Sequence, residues 1–279
     1  MVVSADEVAW ACSELGVSEV GSLQDGTQKT VRLVELDGAR YVLKVVSLDG
    51  SEISAQERAA REVALLADIS SPHVVGVRSP LLVAPRPLAA AAWLEEYLDG
   101  HDVRELFGTQ WGWAETRQMM LQLATGLAQM HDRNVVHRDL SPNNVRRRVD
   151  GTYAVMDPGY AYHELLSRLT IGGHPGTLGY VSPEHLRALP NGPIRCSDVF
   201  CVGILGFESL TTKLPILANG TGDEYLQRLA RCDIGDLGAE RPDLDPTVHA
   251  LFRRVLHPQP ARRFRHARDL ARALEDLGD

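Results

Sequence analysis

The spacing of apolar residues changes character at Gly100, and this constrains the fold more than any other feature of the chain. Before that point Val31, Leu33, Tyr41, Leu43 and Val45 alternate with polar neighbours, and Asp37-Gly38 supplies a tight hairpin turn between the two runs. Segments 74–77 and 91–97 are also strand-like. Beyond Gly100 a helical period takes over, with helices predicted over 113–132 and 197–210. Two helices are expected in the first part. Ser4-Ala5-Asp6-Glu7 is a capping box that opens an amphipathic helix through Leu15, stopped by Gly16. A second runs from about 54 to 68, with Val63, Leu65 and Leu66 apolar and Glu and Arg on the open face. The expectation is an α+β chain with a small strand-rich N-terminal part, a larger helical C-terminal part and a hinge near 97–100. A length of 279 residues suits two lobes sharing one interface. The expected boundaries are an N-terminal helical extension at 1–20, a small lobe at 21–98 and a large lobe at 99–279.

Charge and cysteine usage narrow the function classes. With 29 basic and 37 acidic residues the net charge is −8, which argues against wholesale nucleic-acid binding. The basic run 262–268 reads for the most part as the solvated face of a C-terminal helix. Trp93, Trp111 and Trp113 read as packing rather than a base-stacking platform. Cys12, Cys196, Cys201 and Cys232 form no CxxC pair, and no secretory leader precedes them, so reduced thiols and a cytoplasmic location are expected. No membrane segment is expected: Pro85, Arg86 and Pro87 interrupt the apolar run 81–94, and the run 199–207 is too short to span a bilayer.

The chemistry-bearing residues fall in order along the chain. His137-Arg138-Asp139-Leu140-Ser141-Pro142-Asn143-Asn144 resembles the H-R-D-L-x-x-x-N catalytic loop of the Ser/Thr protein kinase family. Asp157-Pro158-Gly159, after the apolar strand 153–156, resembles the D-F-G element, and Tyr41-Val42-Leu43-Lys44 resembles the V-A-I-K strand. Gly176-Thr177-Leu178-Gly179-Tyr180-Val181-Ser182-Pro183-Glu184 is similar to the G-T-x-x-Y-x-[AS]-P-E segment of Ser/Thr kinases. The resemblance covers about 21–277.

It implies a bilobal kinase fold that uses ATP and Mg²⁺ to phosphorylate serine or threonine of a protein substrate. Asp139 would orient and deprotonate the attacking hydroxyl, and Asn144 and Asp157 would hold the metal. Lys44 would steady the α- and β-phosphates, with Glu62 as its partner. Gly26, Val31, Val42, Glu96 and Leu98 would complete the nucleotide site. Glu184 would pair with Arg263, and Asp198 would anchor the catalytic-loop backbone. Arg138 would receive a phosphate on the activation segment, with Thr170 the first acceptor by position and Ser167 the second, while Thr177 would contact Asp139. Tyrosine specificity is not expected, because the catalytic loop lacks an Ala-Ala-Arg type of insertion. The N-terminal helix is a candidate dock for a regulatory partner.

Four departures bear on activity. Gln24-Asp25-Gly26-Thr27-Gln28-Lys29-Thr30-Val31 keeps only the middle glycine of the phosphate-covering loop. Lys29 reads as a solvated hairpin-tip lysine, with added charge toward phosphate as the alternative. Ser141 replaces a lysine that meets the γ-phosphate, and Pro158 replaces a packing phenylalanine. Arg146 falls where an aliphatic residue lies beneath adenine; its guanidinium could stack there or, like Arg147 and Arg148, sit on an exposed strand end. Lys44, Glu62, Asp139, Asn144 and Asp157 are all kept, and they carry most of the electrostatic work. Two other readings share these residues. One is a catalytically silent pseudokinase that switches on nucleotide or partner binding. The other is a small-molecule phosphotransferase of the aminoglycoside type, which has a similar loop but lacks the 176–184 segment.

Overall fold

A computed structural model describes residues 3–23, 29–48, 53–158, 179–186 and 194–278. Gly26, Ser167, Thr170 and Thr177 lie outside the described residues. The chain divides into two compact units, Met1–Asp99 and Gly100–Asp279.

The first unit is an antiparallel sheet with a helix on each face. Its strands are β1 (Ser18–Ser22), β2 (Lys29–Leu36), β3 (Ala39–Ser47), β4 (Leu82–Val83) and β5 (Ala90–Glu96), in the order β1-β2-β3-β5-β4. Asp37 (φ 52°) and Gly38 (φ 79°) both take the left-handed conformation, as a two-residue hairpin with right-handed strand twist requires. The register sets Val31 opposite Lys44 and Leu33 opposite Val42; across the next ladder Lys44 faces Trp93 and Val42 faces Glu95. Successive side chains alternate in a strand, so Val31, Val42, Lys44, Trp93 and Glu95 share one face. Val34, Leu43, Val45, Ala92 and Leu94 share the other.

Helix α1 (Ala5–Leu15) lays Val8 and Ala11 on that second face, within one apolar cluster. Its capping box forms as expected, with Ser4 and Glu7 exchanging hydrogen bonds, and Gly16 (φ 67°) ends it. Helix α2 (Ile53–Asp68) covers the first face, placing Ala59 and Val63 against Val46, Ala91 and Trp93. Cover on both faces explains why β5 opens with an unbroken apolar run. Segment 74–77, expected as a strand, contributes only isolated bridge residues at Val74 and Val77, the latter opposite Glu95. The Glu96 carboxylate takes the Gly76 N–H at 3.0 Å in place of a backbone acceptor, which interrupts the ladder.

The second unit begins with β6 (Gly100–Asp102), which pairs with β7 (Val145–Arg148) and through it with β8 (Tyr153–Val155). The remainder is helical: α3 (Val103–Leu106), α4 (Trp113–Asp132), α5 (Arg195–Thr211), α6 (Gly222–Arg231), α7 (Leu237–Glu240), α8 (Pro246–Val255) and α9 (Ala267–Leu277). Helix α5 is buried on nearly every side, which is why its sequence is apolar all round. Gly203 allows the close approach of α8: a Cβ there would meet Val255 Cγ1 at 2.5 Å. Among the described residues no helix is long and apolar enough to cross a membrane.

Candidate active site

The helical unit builds its site on Asp198, in the first turn of α5 and 1% exposed. Its Oδ1 accepts the backbone N–H of Arg138 at 3.0 Å. Its Oδ2 accepts the backbone N–H of His137 at 2.8 Å and a bond from His131 Nε2 at 2.9 Å. His131 Nδ1 itself accepts the Ala267 N–H, so the ring proton sits on Nε2 and points at the carboxylate. Burial alone would raise the Asp198 carboxyl; the hydrogen bonds from His131 and from the His137 backbone hold it below the usual carboxylate range.

That anchor fixes the loop above it. Arg138 (φ 71°) and Asp157 (φ 49°) both sit in the left-handed region, which a side-chain-bearing residue keeps only when its surroundings impose it. His137 Nδ1 accepts the Asp139 N–H, leaving Nε2 to donate to the Met156 carbonyl at 2.9 Å. Asn144 Nδ2 donates to the Asp139 carbonyl at 2.7 Å and lies 3.3 Å from its Oδ2. The Asn144 carbonyl in turn accepts the Met156 N–H at 2.9 Å. The three predicted residues Asp139, Asn144 and Asp157 thus belong to one hydrogen-bonded loop pair. Ser141, which stands in the lysine position, is buried, and its hydroxyl has no hydrogen-bond partner among the described residues.

Glu184 and Arg263 form the expected pair, deep in the same unit. Both guanidinium Nη atoms donate to the two carboxylate oxygens, while Arg263 also donates to the carbonyls of Cys196, His257 and Pro258 and stacks over Phe200 at 4.4 Å. Burial by itself would raise Glu184; the hydrogen bond and charge of Arg263 bring it below its ordinary value. The Arg146 guanidinium donates to Asp102 Oδ1 at 2.8 Å and to the Gly100 carbonyl at 2.7 Å. Of the two expectations for Arg146, an exposed strand end does not hold, because its fork pins β7 to β6.

In the sheet unit Lys44 and Glu62 do meet, with Nζ 3.6 Å from Oε1, but two further residues join them. Lys44 Nζ lies 2.8 Å from Glu95 Oε2, and Lys29 Nζ donates to both Glu62 oxygens at 3.1 Å. Trp93 Nε1 donates to Glu95 Oε1 at 2.9 Å. The expectation of a solvated Lys29 is therefore corrected: at the start of β2 its side chain reaches the α2 carboxylate and is only 27% exposed. Glu95 was missed by sequence reasoning. The signal that could have found it is its position two residues after Trp93, which puts it on the Lys44 face. Val31 and Val42 lie on that same face. Leu98 is buried, and the Glu96 side chain turns the other way, to Gly76 and Arg78.

A family model described as "Protein kinase domain" matches residues 17–273. The chain belongs to the protein kinase family. A serine/threonine-protein kinase of Corynebacterium efficiens, drp72, is 28% identical over 273 residues, covering 95% of this chain and 49% of that protein. Mitogen-activated protein kinase kinase 7 of Arabidopsis thaliana is 27% identical over 67% of this chain and 61% of its own length. Serine/threonine-protein kinase AtPK2/AtPK19 of the same plant is 31% identical over 51% of this chain and 28% of its own length. The chain thus spans about half the length of the first of these relatives. The predicted α+β kinase architecture stands, with an antiparallel-sheet N-terminal part and a helical C-terminal part.

Proposed function

We propose that this kinase domain transfers the γ-phosphoryl group of ATP to serine or threonine hydroxyls in an Mg²⁺-dependent reaction, and phosphorylates its own activation segment. The observation that carries this reading is the catalytic loop pinned by Asp198, with Asn144 bonded to Asp139. Phosphoryl transfer asks little covalent chemistry of the protein and much positioning. Asp139 accepts the proton of the attacking hydroxyl, and the Asn144 amide keeps that carboxylate oriented. With Nδ2 given to Asp139, the Asn144 amide oxygen is left to face a cation; it and the Asp157 carboxylate would hold Mg²⁺ as hard oxygen ligands. Mg²⁺, when bound, neutralises charge on the phosphates. Lys44 contacts the α- and β-phosphates, and Val31, Val42, Leu98 and the Glu96 backbone face adenine.

Regulation follows from Arg138. With Arg195 and Arg265 it lines a mostly apolar cavity of about 810 Å³, and these three guanidiniums are the groups that would receive a phosphate on Thr170 or Ser167. The apolar face of α1 is occupied by the chain's own sheet, which leaves no support for a partner docking there. The four cysteines form no disulfide among the described residues, in keeping with a reducing cytoplasm. One observation favours the pseudokinase reading: Lys44 is engaged by Glu95.

The test is incubation with ATP and Mg²⁺ followed by mass-spectrometric mapping. Phosphate on Thr170 or Ser167 that disappears in Asp139→Ala supports an active Ser/Thr kinase. ATP binding without any transfer supports the switch.

A further inference from the structure

We propose that Glu95 is a positioning residue that withholds Lys44 from the nucleotide, so that phosphate must draw the lysine out of a buried ion pair. This rests on the reading that Lys44 meets the phosphates of ATP. Lys44 is 0.8 Å closer to Glu95 (2.8 Å) than to Glu62 (3.6 Å). Glu62, the partner expected for Lys44, meanwhile receives Lys29 through both oxygens. The result is two lysines and two glutamates in neutral balance on one sheet face. Lys44, Glu62 and Glu95 are each no more than 5% exposed.

The geometry of Glu95 is built rather than incidental. Trp93 Nε1–H fixes Oε1, which turns Oε2 onto the lysine, and the Trp93 ring lies 6.0 Å from Lys44 Nζ. An apolar side chain at this β5 position would avoid the desolvation that a buried carboxylate suffers. A polyanion approaching Lys44 therefore meets a fixed carboxylate already holding the same ammonium. The competition acts on the phosphates alone. Adenosine, which never reaches Lys44, is indifferent to it.

The experiment is calorimetric titration of the intact chain with Mg-ADP and with adenosine, for wild type, Glu95→Gln and Glu95→Met. Either substitution removes the competing charge, and Glu95→Gln keeps an acceptor for Trp93. ADP should bind on the order of tenfold more tightly to the variants, while adenosine affinity moves less than about twofold. A merely structural Glu95 would shift both ligands together or neither. Wild type that binds ADP, with variants that bind it equally or more weakly, overturns the proposal and leaves the nucleotide-binding reading standing. Failure of every form to bind either ligand overturns both. If Glu95→Gln does not fold, Glu95→Met decides; if neither folds, Glu95 is a structural carboxylate and the proposal is wrong.

Discussion

Replacing Asp198 by asparagine, a change of one atom, should loosen the catalytic loop and the helical unit together. The carboxylate accepts three hydrogen bonds, two at Oδ2 and one at Oδ1. The best orientation of an amide keeps its oxygen at the Oδ2 position and turns its NH₂ toward the Arg138 N–H. That loses one bond to a charged acceptor, worth about 1.5–3 kcal/mol, and leaves buried donors facing each other, at about 1–3 kcal/mol. The two surviving bonds also lose their charge assistance. The sum is about 2.5–6 kcal/mol, which in a unit of this size, at about 2–4 °C per kcal/mol, lowers Tm by roughly 5–24 °C. The donor released is the amide of Arg138, the residue at φ 71°, so the backbone next to Asp139 is where the loop relaxes. A displacement of about 1 Å there reduces phosphoryl transfer on the order of 100-fold. Scanning calorimetry of both proteins across pH is the assay. Because the folded Asp198 carboxyl is depressed, its contribution is complete above the ordinary value of about 4 and is lost as pH falls through the lower folded value. The gap between wild type and variant should therefore be widest near neutrality and close below about pH 4. A Tm change under about 2 °C near neutrality, with activity retained, would refute the anchoring role.

Two other substitutions probe the packing. Arg263→Lys exchanges a fork that holds Glu184, three carbonyls and the Phe200 ring for a single ammonium. It should destabilise the helical unit by about 2–4 kcal/mol, read from urea melts, and no measurable loss would mean the buried fork is dispensable. Ala11→Asp places a carboxylate at a fully buried position between α1 and the sheet. It should cost several kcal/mol and speed proteolysis within the first unit; wild-type protease resistance would show that α1 is not part of that core.

Local signals were the legible ones. Asp37-Gly38 and the Ser4–Glu7 capping box encode their geometry within a few residues, and both form as read. The Thr221–Glu224 capping box that opens α6 is the same kind of signal. The Glu184–Arg263 pair was legible only through family resemblance, because 79 residues separate the partners and nothing local links them. Of the four-charge cluster only the Lys44–Glu62 half was legible, through family resemblance; the parts played by Lys29 and Glu95 were not. Which face Lys29, Lys44 and Glu95 share depends on two strand registers, and a one-residue slip would reverse it. Helix α1 showed its amphipathic stripe in sequence but not its address, so a free docking helix and a sheet-covering helix read alike.

The proposed phosphoryl transfer depends on Asp139 above any other residue. The most direct measurement is the initial rate of γ-phosphoryl transfer from labelled Mg-ATP to this chain and to a generic Ser/Thr protein substrate, in wild type and in Asp139→Asn. The isosteric amide can still bond to Asn144 but cannot take the hydroxyl proton. Transfer by wild type and a fall of about 100-fold or more in the variant are expected. Equal rates in the two proteins would contradict that dependence.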